Sequence, residues 1–260
     1  MIPLKEAAKR NRPRASEIRI REIVPTKSQA DDLAAIYLEV MRYWRDVGQR
    51  IVTFYDPPAL TTDTIPEIES ELVRSQVGAN ALILALTPRV RRWTELFAAW
   101  HSRKWASNVQ AATGVSIAAF LAAAPVADDL ATALAWNVGL IRNVSDQARD
   151  RIANIVWSGW RARIPRNEIA KQINQAIGLG RDRSRRIAVD QATKLSAELD
   201  RSRMLEAGID AWIWRHSGKA HPRLDHVARN GNRYTWQNAP EDIPGELPFC
   251  GCKAQAVLDL

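Results

Sequence analysis

Three of the four histidines, His216, His221 and His226, and both cysteines, Cys250 and Cys252, fall after Arg215 in a chain of 260 residues, and His101 alone lies elsewhere. His221, His226, Cys250 and Cys252 together offer the nitrogen and sulfur donors that hold zinc in tetrahedral coordination. Cys-x-Cys is a less usual ligand spacing than Cys-x-x-Cys, but residues two apart on a strand project to the same side and can share one ion. A structural zinc is the expected cofactor on this reading. The competing reading is that the thiols pack as small hydrophobes while the histidines satisfy backbone groups in a loop-rich module.

Asp225-His226, followed by Gly231 and Asn238, also carries part of an HNH-type nuclease pattern, in which a first His activates water and a later His or Asn holds a catalytic metal. No histidine follows His226, so the usual last ligand is missing. The sequence has no P-loop, no Gly-x-Ser-x-Gly and no His-Glu-x-x-His, so the common enzyme classes gain no support and no catalytic residue is expected.

The elements that must position these side chains are mostly helical. With 46% hydrophobic residues the chain can bury a core, and its formal charge of +8 favours a polyanionic neighbour, whether nucleic acid, an acidic protein surface or anionic lipid. The longest apolar run, Val115 to Ala127, is short for a membrane span and holds Pro125, so no membrane partner is expected. The basic N-terminal stretch with Lys5, Lys9, Arg10, Arg12, Arg14, Arg19 and Arg21 is followed by no apolar signal core, and two cysteines this close make a strained disulfide. Synthesis in a reducing compartment fits both features.

Helical periodicity begins at Ser28, with Leu33, Ile36, Val40, Trp44 and Val47 recurring every three or four residues until Gly48. A break at Asp56-Pro57-Pro58 and Thr61 to Thr64 precedes a helix from Ile65 to Leu86, which is expected to stop near Pro88, and a new helix from Pro88 to Gln110. That second helix carries Trp93, Phe97, Trp100 and Trp105 with Arg91, Arg92, Arg103 and Lys104 between them; the stripe reads as core or subunit interface, with base stacking as the alternative. An apolar helix runs toward Pro125, and a long amphipathic one from Asp128 shows the stripe Leu130, Leu134, Val138, Ile141, Val144, Ala148, Ile152 and Ile155. Ile169, Ile173 and Ile177 form a short helix expected to end at Gly178 and Gly180, and another starts at Asp182 and ends at Gly208. The period then alternates: Ile209, Ala211 and Ile213 face one way while Trp212 and Trp214 face the other, as in a strand. Asn230-Gly231 is a hairpin signal before Tyr234-Thr235-Trp236, and Cys252 to Leu258 is again extended. The fold class is thus mainly α with a small C-terminal α+β module, long amphipathic helices followed by a short-stranded sheet. The expected division is a basic flexible arm at 1–27, a helical body at 28–180 and the α+β module at 181–260.

The order of these landmarks adds a resemblance. Trp136-Asn137-x-x-Leu140-Ile141 leads to Asn167-Glu168-Ile169-Ala170, then Arg185-Arg186-Ile187-Ala188-x-Asp190-Gln191, Gly208-Ile209, Trp212 and Trp214, Arg223-x-x-His226, Gly231, Pro244-Gly245 and Cys250-Gly251-Cys252. This succession resembles the Mu F-like family of phage head morphogenesis proteins. There an Ile-Ala-Arg-Thr-Glu-like helix precedes a Gly-Val, a Trp strand, an Arg-x-x-His with a Gly shortly after, and a terminal Cys-Arg-Cys. The matching motif positions are Arg223, His226, Gly231, Cys250 and Cys252. The chain departs from the pattern at Val189-Asp190-Gln191, at Lys219 and His221 where Asp and Arg are usual, and at Gly251 where Arg is usual. The resemblance implies a minor head or minor capsid protein of a tailed bacteriophage without catalytic activity of its own. It implies the portal protein and capsid or scaffold proteins as partners and non-specific contact with packaged DNA. The location implied is the virion, at the head interior or portal vertex, with assembly in the host cytoplasm. A metal-dependent nuclease or toxin-like enzyme and a free DNA-binding module are the alternatives.

Overall fold

The computed structural model describes residues 4–55, 65–118, 121 and 127–260. Its main elements run in the order α1 Leu4–Asn11, β1 Glu17–Arg19, α2 Lys27–Phe54, α3 Ile65–Thr113, α4 Ala127–Arg161, α5 Arg166–Glu206, β2 Ala211–Arg215, α6 Leu224–Ala228, β3 Arg233–Thr235 and β4 Lys253–Asp259. Long helices and a small antiparallel sheet are what the periodicity predicts. The expected break at 56–64 and most of the apolar segment before Pro125 lie outside the described residues. Among the described residues no helix is long and apolar enough to cross a membrane.

The helices are longer than their punctuation suggests. α3 runs straight through Pro88, where a proline interior to a helix costs roughly 3 kcal/mol. Packing overrides that cost, because the buried stripe Ile83, Leu86 and Val90 continues across the proline, and the Thr87 hydroxyl donates to the Ile83 carbonyl at 2.9 Å beside it. α5 likewise runs through Gly178 and Gly180 instead of ending there. Gly180 serves close packing: a Cβ there would sit 2.6 Å from Met41 Sδ. Gly48 does not end α2 for the same reason, since its missing Cβ admits Ile173 Cγ2.

The chain forms two compact units, each discontinuous in sequence. One comprises Asp31–Trp93 and Leu134–Ala188. Its core joins Tyr37, Trp44 and Ile51 of α2, Ile141, Ile152 and Val156 of α4, and Ile169 and Ile173 of α5, all buried. Val156, not Ile155, closes the α4 stripe. Its buried polar atoms are paired across helices, with Trp44 Nε1 donating to Ser145 Oγ at 2.8 Å and Tyr37 OH to Asn137 Oδ1 at 3.1 Å. Each such bond contributes about 1 kcal/mol, but leaving either partner alone costs more.

The other unit comprises Met1–Ala30, Thr94–Ala133 and Val189–Leu260. The units therefore do not follow the linear division at residues 27 and 180. Nor is the N-terminal segment an arm: Leu4 and Ala8 of α1 and Ile18, Ile20 and Ile23 are buried in this unit's core. β1 is an edge strand, in the sheet order β1-β4-β2-β3, with Ile18 opposite Leu258 and every pairing antiparallel. Arg19 and Arg21 do not prevent this, because the buried Ile18 and Ile20 alternate with them and face inward. Both faces of β2 are covered. Trp212 and Trp214 join the main core, while Ala211 and Ile213 pack with Val257 on the opposite face. Trp105 of α3 is also in this core and Phe97 is buried, so these rings of the aromatic stripe are interior rather than stacking platforms.

Candidate functional site

β2, α6 and the loop that leads into β4 bring one cluster together. Strand β2 fixes Trp214, whose ring meets the His226 imidazole edge-on at 4.9 Å. The chain then leaves the sheet, makes the single helical turn of α6 and returns through Asn230-Gly231 to β3. Asn230-Gly231 is therefore a helix-to-strand turn, not a two-residue hairpin between strands. Gly231 adopts φ +87, a region glycine enters without Cβ strain, and its N–H donates to the Trp214 carbonyl at 2.8 Å. Arg223 precedes α6 and donates through Nη2 to the Pro248 carbonyl at 3.0 Å.

His226, Cys250 and Cys252 are all buried, and their ligand atoms lie within 4.8 Å of one another. Both Sγ atoms stand 3.6 Å from His226 Nδ1. On its other side the ring lies 2.6 Å from Asp242 Oδ2, and Asp242 Oδ1 pairs with Arg229 Nη1. Burial pushes the Asp242 carboxyl up, but hydrogen bonds from Arg229 and His226 outweigh it and hold the group below the usual carboxylate range. A charged carboxylate only accepts, so His226 Nε2 carries the proton and Nδ1 presents its lone pair to the two sulfurs. Arg229 is itself placed over the Trp214 ring at 5.2 Å. The thiols are coupled: hydrogen bonding from Cys252 lowers Cys250 to about 5, while Cys252, as the donor, is pushed up. Backbone N–H groups of Gly245 and Cys252 favour charge on Cys250, and that of Ser217 favours charge on Cys252. The arrangement stabilises thiolate character at a buried point.

The loop before Cys250 is stitched by cations. Lys194 donates to the Gly245 carbonyl at 3.4 Å and to that of Glu246, Lys219 donates to Phe249 at 2.6 Å, and Arg223 donates to Pro248. Asp190 accepts the Phe249 N–H at 2.6 Å, and Phe249 takes a left-handed φ of 60, a local strain these partners hold in place. Of the four ligands proposed from the sequence, three converge and one does not: His221 is exposed and joins no ligand cluster among the described residues. His216 Nδ1 accepts the Gly218 N–H instead. His101, the outlying histidine, is buried 3.0 Å from Asp200. Of the HNH-type pattern, Asp225 and His226 come together with Asp242, His226 is buried, and the Asn238 side chain lies 3.5 Å from Thr235 Oγ1. Asp242, Arg229 and Lys194 escaped the sequence reading. Asp190 and Lys219, which support the loop before Cys250, stood in the sequence only as departures from the family pattern.

Residues 148–255 match the family described as Phage Mu protein F like protein, so the chain is similar to that bacteriophage family over this segment. The matched segment holds Arg223, His226, Gly231, Cys250 and Cys252, and the sequence resemblance is borne out over it. The chain is also 30% identical over 156 residues to an uncharacterized protein of Haemophilus influenzae, a stretch covering 59% of this chain and 35% of that protein. The chain thus spans about a third of that relative's length. No solved structure matches it.

Proposed function

We propose that this chain is a minor head protein of a tailed bacteriophage, acting in head morphogenesis at the portal vertex. The observation that carries the reading is the match of residues 148–255 to the Mu F-like phage family. The helical residues between 28 and 180 supply the docking surface for the portal protein. Val73, Val77 and Leu84 support that assignment: they are exposed on one face of α3, at spacings that keep them aligned along the helix. The net charge of +8 suits a position near packaged DNA, with phosphate contacts that are salt-dependent and indifferent to sequence. The role is structural, and the buried His226 cluster organises the C-terminal module.

Mass spectrometry of gradient-purified particles tests the reading. The chain is expected in mature virions at a small fraction of the major capsid protein, and to co-purify with the portal protein from lysates. Particles that lack it, from a lysate that contains it, overturn the proposal. Val77→Asp is expected to reduce portal co-purification without lowering the melting temperature by more than a few degrees.

A further inference from the structure

We propose that His226, Cys250 and Cys252 are three protein ligands of a tetrahedral Zn(II) ion, with Asp242 and Arg229 holding the histidine in its ligating tautomer. The inference stands on the site's geometry and does not depend on the head-protein reading.

Distance carries the first part. Zinc bonds of about 2.05 Å to nitrogen and about 2.3 Å to sulfur, set at the tetrahedral angle, place each sulfur about 3.6 Å from the nitrogen. Both sulfurs lie 3.6 Å from His226 Nδ1. A thiol donating to imidazole can reach a similar distance, but Nδ1 has one lone pair and can accept one S–H in line. Two equidistant sulfurs point instead to a common centre between the three atoms.

The surroundings carry the second part. Nε2 faces Asp242 at 2.6 Å, and Asp242 is anchored by Arg229. A carboxylate on the far nitrogen fixes a metal-bound histidine's tautomer and raises its basicity. Gly251 keeps the Cys-x-Cys turn tight, since a Cβ there would lie 2.9 Å from Ser217 Cβ and from Lys219 Cε. Binding forms two Zn–S bonds and one Zn–N bond, with both cysteines bound as thiolates and any proton still on sulfur released to solvent, and no oxidation state changes. His221 is exposed and joins no ligand cluster among the described residues, so it is not the fourth ligand. The ion would pin α6 to the turn that starts β4.

The full chain, purified without chelator and without an affinity tag that binds metal, is analysed by inductively coupled plasma mass spectrometry. One zinc per chain is expected, and Co(II) exchanged into the site is expected to give a thiolate charge-transfer band in the near ultraviolet. His226→Ala, Cys250→Ser and Cys252→Ser should each lose the stoichiometric metal, and His221→Ala should keep it. Asp242→Asn should retain the band but lose zinc to a competing chelator at about tenfold to a hundredfold lower chelator concentration. Wild-type protein with no zinc, no cobalt band and two freely titrating thiols overturns the site, whatever the variants do. Loss of metal in His221→Ala overturns the three-ligand assignment.

Discussion

Gly245 offers a test of how the loop before Cys250 is positioned. It holds φ +88, and a Cβ added there would lie 2.5 Å from Ala197 Cβ on α5. Gly245→Ala therefore meets two separable costs. Left-handed backbone with a Cβ costs about 1–2 kcal/mol. A contact this short against another Cβ, rather than a flexible side-chain end, forces backbone movement at about 1–3 kcal/mol. The variant should lose about 2–5 kcal/mol in total. Ala197→Gly removes the opposing methyl and alone costs about 1 kcal/mol in helix propensity. In that background Gly245→Ala should cost only its backbone part, leaving a favourable coupling of about 1–3 kcal/mol between the substitutions. Urea unfolding followed by circular dichroism, with metal content held equal, measures all four corners of the cycle. Additivity within about 0.5 kcal/mol refutes the contact, and with it the claim that the loop rests directly on α5.

Gly178→Ala should stabilise the protein by about 0.5–1 kcal/mol, because the site is helix interior with open space around the missing Cβ. A drop in the thermal midpoint would restore Gly178 as a helix terminator. Burial raises the Asp190 carboxyl above its ordinary value against the pull of the Phe249 N–H, Lys194 and Lys219. The folded chain thus keeps that proton to higher pH than the unfolded chain, and stability declines as pH rises from about 4 through the raised value. Asp190→Asn keeps an acceptor for Phe249 and should flatten that decline in a pH series of melts, whereas an unchanged slope contradicts the assignment. Gly251→Arg alone should destabilise by about 1–3 kcal/mol, since Ser217 and Lys219 occupy its space. Adding Lys219→Asp should recover part of that loss, and a strictly additive pair would show the two positions to be independent.

Much of the fold was legible because its dominant signals are periodic. The stripes of α2 and α5, the Ile141 to Ile152 part of the α4 stripe and the alternation of Ala211 and Ile213 with Trp212 and Trp214 map onto buried faces, whereas Ile209, expected beside Ala211, lies in the core with the tryptophans. Punctuation misled where packing outweighed local preference. Pro88, Gly48 and Gly180 have the residue types that end helices, yet each lies inside one. What decides their role is a neighbour distant in sequence, such as Ile173 for Gly48 or Met41 for Gly180, and a one-dimensional pattern does not carry that information. The N-terminal segment misled in the opposite sense. Its basic composition resembled a solvated arm, but three residues of backbone pairing with β4 and a few inward apolar side chains suffice to build it into the sheet.

The candidate site divides along the same line. His226, Cys250 and Cys252 were visible because their residue types announce metal chemistry, while the side chains that orient them are ordinary Asp, Arg and Lys found only by proximity. His221 had the right type and the wrong place, since the loop around Gly218 carries it outward to solvent. Lys219 and Gly251 touch: a Cβ on residue 251 would lie 2.9 Å from Lys219 Cε. A long cationic side chain can come to this spot from one position or from the other, not from both. Here it comes from Lys219, whose Nζ is tied to the Phe249 carbonyl at 2.6 Å, one residue before Cys250. A side chain on residue 251 and the Lys219 cation therefore compete for one space beside the cysteines, and in this chain glycine leaves it to Lys219.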